Sequence, residues 1–166
     1  MDDQTRRDFV KYSFFKVDPK WRLLSAEQRH DGKTQFAQVL EEFADRVAMS
    51  SYSLVGTRAD TDFLLWKVSE SLEAINELLA QLNRTSLSPY LTASYSYLAM
   101  TRHSPYAIDH RSSEHKGGEE QEGSFARMRI VGRKYLFIYP FVKTHDWYQL
   151  SKEERQALMN EHFVIG

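Results

Sequence analysis

The chain has 166 residues, of which 42% are hydrophobic and 13% aromatic, so it can fold into one or two domains with a buried core. Its formal net charge is −1 and it has no long basic run, which argues against nucleic acid as a partner. The absence of cysteine excludes disulfides, thiol catalysis and iron–sulfur clusters. No signal-peptide pattern and no apolar run of about 18 residues occurs, which predicts a cytoplasmic protein with no membrane partner.

The first part of the chain alternates strand and helix patterns. Ser25, followed by Gln28 three residues later, predicts a capping box that begins a helix whose apolar side includes Phe36 and Val39. A second helix is predicted over 71–82. Strands are predicted over 9–18, 48–56, 61–68 and 93–100. The order β-α-β-β-α-β is typical of a ferredoxin-like unit, which we place at residues 1–100.

The second part of the chain begins after a polar segment. Residues 101–125 are rich in turn-forming residues and predict an exposed loop or linker. Strands are predicted over 126–131 and 134–142, and Ser151 with Glu154 predicts a second capping box. Residues 126–166 are therefore expected to begin a second unit.

Two stretches of the chain repeat one another. Residues 15–29 resemble residues 141–155, which lie 126 positions later. Trp21, Ser25 and Arg29 match Trp147, Ser151 and Arg155. Self-similarity at a fixed offset indicates duplication of a supersecondary unit. The sequence therefore predicts an α+β protein of tandem ferredoxin-like repeats, with the second repeat truncated at residue 166. We expect about sixty further residues, or a second chain, to complete it.

His162 lies on the predicted apolar side of the last helix. It follows Ser151 by the same number of residues as Phe36 follows Ser25, so an imidazole replaces a core aromatic side chain. One interpretation is a buried neutral histidine that is hydrogen-bonded to a carbonyl. The other is metal or haem ligation. Because no second potential ligand lies four residues away on this face, haem fits better than zinc.

Three residues that precede the last helix also have ordinary structural interpretations. Tyr139 ends an apolar strand pattern, where a tyrosine usually packs its ring and exposes its hydroxyl. Lys143 is typical of a solvated charge at a sheet edge. A tryptophan occurs at the same place in both repeats, as Trp21 and Trp147, so Trp147 is expected to have a packing role.

The segment "YPFVKTHDWYQLSKEERQALMNEHFVIG" (139–166) resembles the chlorite dismutase-like haem protein family, and most closely its peroxide-dependent coproheme decarboxylases. This resemblance implies tandem ferredoxin-like halves and a homo-oligomeric ring, commonly a pentamer. It implies that His162 is the proximal ligand of haem b or of iron-coproporphyrin III (coproheme). It further implies that Tyr139 forms a catalytic radical, that Lys143 contacts a propionate, and that Trp147 lies on the proximal side.

The function implied by the resemblance is oxidative decarboxylation of coproheme to haem b in haem biosynthesis, with porphyrin and peroxide as the small-molecule partners. The alternatives are a chlorite dismutase, which would not require Tyr139, and a haem-binding protein without catalytic activity. The segment between Tyr139 and Trp147 is about four residues shorter than the bacterial decarboxylase pattern. The distal residue that separates the two enzyme classes would follow residue 166.

Overall fold

The structure, a computed structural model, describes residues 7–101 and 134–165, with the backbone alone for residues 162–165. The described residues fall into two compact units, residues 7–101 with 134–136, and residues 137–165. The predicted linker beyond Thr101 and the predicted strand at 126–131 lie outside the described residues. None of the described helices is long and apolar enough to cross a membrane.

The first unit has the element order that its sequence predicts. Its strands and helices are β1 (Phe9–Val17), α1 (Ala26–Glu42), β2 (Ala48–Ser53), β3 (Phe63–Ser69), α2 (Leu72–Leu82) and β4 (Leu91–Met100). Short 3-10 helices precede α1 and β4, at Pro19–Leu23 and Ser88–Tyr90. The β-α-β-β-α-β order is that of a ferredoxin-like fold, and the expected α+β class is confirmed.

The four strands form one antiparallel sheet in the order β2-β3-β1-β4. Lys11 of β1 lies opposite Lys67 of β3, and Tyr12 lies opposite Trp66. The register between β1 and β4 shifts between Phe14 and Phe15, which marks a β-bulge. Because side chains alternate along a strand, each register fixes which residues share a face of the sheet.

The two helices cover one face of the sheet. The Ser25 hydroxyl accepts a 3.1 Å hydrogen bond from the Gln28 amide, and the Gln28 side chain accepts one from the Ser25 amide, so α1 begins with the predicted capping box. A buried apolar cluster lies between helices and sheet: Phe43, Val47, Leu65, Ala74, Ile75, Leu78 and Leu82. Phe36 and Val39 of α1 pack against it, as the helical spacing predicts.

The other face of the sheet is rich in aromatic side chains. Trp66 is buried together with Val10 and Val68, and its ring stacks on Tyr12 with centroids 5.9 Å apart. Leu136 packs against the same cluster. The sheet of the first unit therefore has apolar side chains on both faces.

The second unit contains two described helices, which we label α3 (His145–Gln149) and α4 (Lys152–Ile165). Ser151 and Glu154 form the predicted capping box at the start of α4, with distances of 2.8 and 3.2 Å. The strand predicted over 134–142 is not formed, because no described residue provides strand hydrogen bonds to this segment. Strand pairing depends on a distant neighbour, whereas helix capping is local.

Candidate functional site

The segment before α3 exposes a row of apolar side chains. Tyr139 is 73% exposed, and its ring stacks on Phe141 with centroids 6.3 Å apart and planes at 25°. Phe137 and Val142 are also strongly exposed. Contiguous apolar surface of this kind usually binds a ligand or another surface. We call residues 137–142 the aromatic segment.

Lys143 and Trp147 are brought together directly after the aromatic segment. The Lys143 ammonium nitrogen lies 4.3 Å from the centroid of the Trp147 ring, which is cation–π geometry. Both side chains are partly buried. Thr144 is the N-cap residue of α3, with extended dihedral angles of −68° and 164°, so Lys143 comes just before the first turn of the helix that carries Trp147.

Of the predicted site residues, the structure therefore brings Lys143 and Trp147 into contact. Tyr139 lies four residues before Lys143, and its described ring contact is with Phe141 rather than with either of them. His162 lies within α4, and its side chain is outside the described residues. Its role as an iron ligand stays a prediction.

The repeat found in the sequence is also a repeat of local structure. Trp21 and Trp147 each lie in a short helix, which ends at an extended leucine, Leu24 or Leu150. A serine with a capping box then begins a longer helix in both copies. The first copy therefore serves as an internal reference for the second.

The first copy indicates where Tyr139 and His162 would lie if the second copy were folded alike. The position 126 residues before Tyr139 is Ser13, and the position 126 residues before His162 is Phe36. Ser13 is buried on the helix-covered side of β1, and its hydroxyl accepts a hydrogen bond from Lys67. Phe36 of α1 packs against the apolar cluster on the same side of the sheet. Both reference positions thus point into the layer between helix and sheet.

Lys67 is a buried titratable residue that the sequence interpretation missed. It is fully buried on the helix-covered side of β3, and its ammonium donates hydrogen bonds to the Ser13 hydroxyl at 2.9 Å and the Leu65 carbonyl at 3.2 Å. Burial, and secondarily the nearby charge of Lys11, lowers the pKa of Lys67 to about 7. The sequence feature that indicates its burial is a lysine among the apolar residues of the strand "FLLWKVS", which ends at Ser69.

The described residues of the second unit fit an iron porphyrin with propionate side chains. A porphyrin presents a broad apolar face, which the exposed rings of the aromatic segment could cover. Its propionates are anions, with which the ammonium of Lys143 beside the Trp147 ring could pair. Within residues 7–101 and 134–161 there is no group of three or more histidine, aspartate or glutamate side chains that could hold a metal ion.

Fold and site together define an α+β protein with a ferredoxin-like unit and a second unit, in which an exposed aromatic segment and a cation precede a tryptophan and a longer helix. The sequence profile of the chlorite dismutase family matches residues 10–166, and the chain belongs to that family.

Individual relatives agree with this assignment. Coproheme decarboxylase of Staphylococcus carnosus is 29% identical, over 92% of this chain and 64% of its own length. A chlorite dismutase variant from Candidatus Nitrospira defluvii has the same fold, with a TM-score of 0.72, 21% identity, and coverage of 93% of this chain and 63% of its own. A heme-binding protein from Thermus thermophilus gives a TM-score of 0.66 at 21% identity. The chain spans somewhat less than two thirds of the length of these relatives.

Proposed function

We propose that the protein binds iron coproporphyrin and catalyses its peroxide-dependent decarboxylation to haem b. The observation that carries this proposal is an oxidisable phenol, Tyr139, exposed four residues before a cation, Lys143, that lies on the Trp147 ring. The ammonium group could bind a carboxylate side chain of the substrate, and the phenol could take part in oxidising that side chain. The relative from Staphylococcus carnosus is itself a coproheme decarboxylase, which supports this choice within the family.

The bound iron porphyrin would supply, with peroxide, the oxidising power for the reaction. Each of two propionates would give up one C–H hydrogen, as a proton, and carbon dioxide to become a vinyl group, which releases two electrons. One peroxide for each group would accept the two electrons, together with that proton and one from solvent, to form two water molecules. Tyr139 would transfer an electron from its ring and the proton of its hydroxyl, and then recover a hydrogen atom from the propionate.

The other residues would bind and orient the substrate. Lys143 would pair with a propionate carboxylate, since an ammonium is a strong donor to such an anion. His162 would ligate the iron through one imidazole nitrogen. The apolar rings at Phe137 and Phe141 would cover part of the porphyrin face and keep water away from it. Assembly into a homo-oligomeric ring stays a prediction from the family resemblance.

The test is replacement of Tyr139 by phenylalanine in the protein. Phenylalanine keeps the ring but removes the oxidisable hydroxyl, so coproheme binding should be retained. Peroxide-driven formation of haem b should fall by at least about a hundredfold, the usual effect of losing a group that transfers a proton in catalysis. Product is measured by chromatography of the extracted porphyrins.

Tyr97→Phe is the matched control, because Tyr97 is a partly exposed phenol on β4 of the first unit. It should decarboxylate at the parental rate. If Tyr139→Phe also forms haem b at the parental rate, Tyr139 is not the radical residue. Chlorite turnover that is insensitive to Tyr139 would then favour a chlorite dismutase.

A further inference from the structure

The contact between Lys143 and Trp147 distinguishes the second copy of the repeat from the first. In the second copy, the ammonium of Lys143 lies 4.3 Å from the centre of the Trp147 ring. In the first copy, the residue at the place of Lys143 is Val17, which has no charge, and the matching indole is Trp21. The same tryptophan position therefore has different neighbours in the two copies.

Trp21 packs on the backbone of helix α1. Its Cη2 atom lies only 2.7 Å from the place where a Cβ atom on Gly32 would stand, and its ring is 5.3 Å from that of Tyr90. Real Cβ atoms do not approach another heavy atom so closely. Trp21 can therefore take this place only because residue 32 is a glycine.

The second copy lacks this glycine. The residue 126 positions after Gly32 is Leu158, whose side chain would collide with an indole in the place of Trp21. Trp147 therefore cannot lie against its helix as Trp21 does. Replacement of Val17 by Lys143 at the matching position provides the cation that Trp147 contacts instead. The copies thus differ at two positions that bear on where the indole can lie, Val17 against Lys143 and Gly32 against Leu158.

We propose that Trp147 is a positioning residue, whose ring holds the Lys143 ammonium in place for a carboxylate of the porphyrin ligand, and that Leu158 keeps the ring in this role. This inference deepens the proposed function and rests on it. An ammonium held over an aromatic face loses rotamer freedom before the ligand arrives, so less conformational freedom is lost on binding. An ammonium has three N–H donors, so one group can contact an aromatic ring and a carboxylate at the same time.

The first measurement concerns the ligand-free protein and does not depend on activity. The rate at which an amine-selective acylating reagent modifies Lys143 is followed by peptide mass spectrometry in the parent, Trp147→Leu and Leu158→Gly. We expect Lys143 to react faster in Trp147→Leu, because the ring no longer shields the amine. Lys143 should also react faster in Leu158→Gly, where the indole can move onto the helix. Lys20, an exposed lysine of the first copy, is the internal standard and should not change.

The second measurement is the affinity for iron coproporphyrin in a double-mutant cycle. Trp147→Leu should weaken binding about three- to tenfold, the range expected for loss of a partly desolvated cation–π contact. In a Lys143→Met background, the same change should have no further effect. Lys143→Arg should retain most of the affinity, because a guanidinium also stacks on an indole and pairs with carboxylates. Thermal unfolding of each variant shows that it is folded.

Equal losses from Trp147→Leu in the parental and Lys143→Met backgrounds would mean that the ring only packs, and the inference would be overturned. Unchanged acylation of Lys143 in Trp147→Leu would overturn it as well. If the parent protein binds no porphyrin, the proposed function and the ligand part of this inference fall together. The acylation rates would still decide whether Trp147 holds Lys143.

Discussion

The ammonium of Lys67 donates a hydrogen bond of 2.9 Å to the hydroxyl of Ser13 on the neighbouring strand, at a position closed to solvent. The amine has no carboxylate within ion-pair distance in the part of the chain that the structure describes. Lys11 lies directly opposite Lys67 on β1, so two like charges share one face of the sheet. Such an arrangement is unfavourable while both amines are charged.

The stability of the first unit should therefore depend on pH through Lys67. Its pKa is about 7 in the folded chain and near 10.5 in the unfolded chain. Between these values the unfolded state holds a proton that the folded state lacks, so the free energy of unfolding should rise with pH, by at most about 1.4 kcal/mol per pH unit. Urea unfolding at pH 7, 8 and 9 measures this slope.

Lys67→Met should remove most of the slope and stabilise the protein at pH 7, since methionine fills a similar volume without a charge. Lys20→Met replaces an exposed lysine and should leave the slope unchanged. A parental slope that persists in Lys67→Met would assign the pH dependence to another group.

Gly32 should be intolerant of even the smallest side chain. Alanine is the better helix former by about 1 kcal/mol, yet its Cβ would lie 2.7 Å from the Trp21 ring and 3.3 Å from the Ser86 hydroxyl. We expect Gly32→Ala to lower the free energy of unfolding by about 1–2 kcal/mol, because the ring must shift. Guanidinium unfolding provides the measurement.

The Trp21→Leu background supplies the control for Gly32. With the indole removed, Gly32→Ala should become neutral or stabilising, since only the helix propensity remains. The same loss in both backgrounds would show that the Trp21 contact does not restrict residue 32.

The features that the sequence predicted are those set by neighbouring residues. The capping boxes at Ser25 and Ser151 follow from a serine and a glutamine or glutamate three residues later, and both are present. The order of strands and helices along the first unit follows from its alternation of apolar patterns. Local rules therefore suffice for most of the ferredoxin-like unit.

The features that the sequence did not predict depend on distant partners. The burial of Lys67 follows from its place on a central strand beneath two helices, which its charge alone would not suggest. The strand expected over 134–142 needs a hydrogen-bonded neighbour, and none of the described residues is one. Lys143 contacts Trp147 four residues later although it precedes the N-cap Thr144 and lies outside α3, so the contact does not follow from a helix pattern in the sequence.

The two capping serines should stabilise their helices by similar free energies. Ser25→Ala and Ser151→Ala each remove a hydroxyl that accepts from the amide three residues later, and each should cost its helix about 1 kcal/mol. Amide hydrogen exchange at the first turns of α1 and α4 should accelerate about fivefold. Ser25→Asn and Ser151→Asn keep a capping oxygen and should exchange nearly as the parent does. Protection that is unchanged in the alanine variants would contradict a capping role.

His162 should determine the absorption spectrum of a bound iron porphyrin. If His162 ligates the iron of a bound porphyrin, His162→Ala should abolish or strongly shift the Soret absorption of the complex, because the ligand that the protein supplies influences the electronic state of the iron. Affinity should fall as well. His145 provides the matched control: it is an exposed histidine at the start of α3, and His145→Ala should leave the spectrum unchanged. Added imidazole should restore part of the Soret band of His162→Ala by occupying the vacated position. A spectrum and an affinity that do not change in His162→Ala would return His162 to the role of a packed histidine at the position that Phe36 occupies in the first copy.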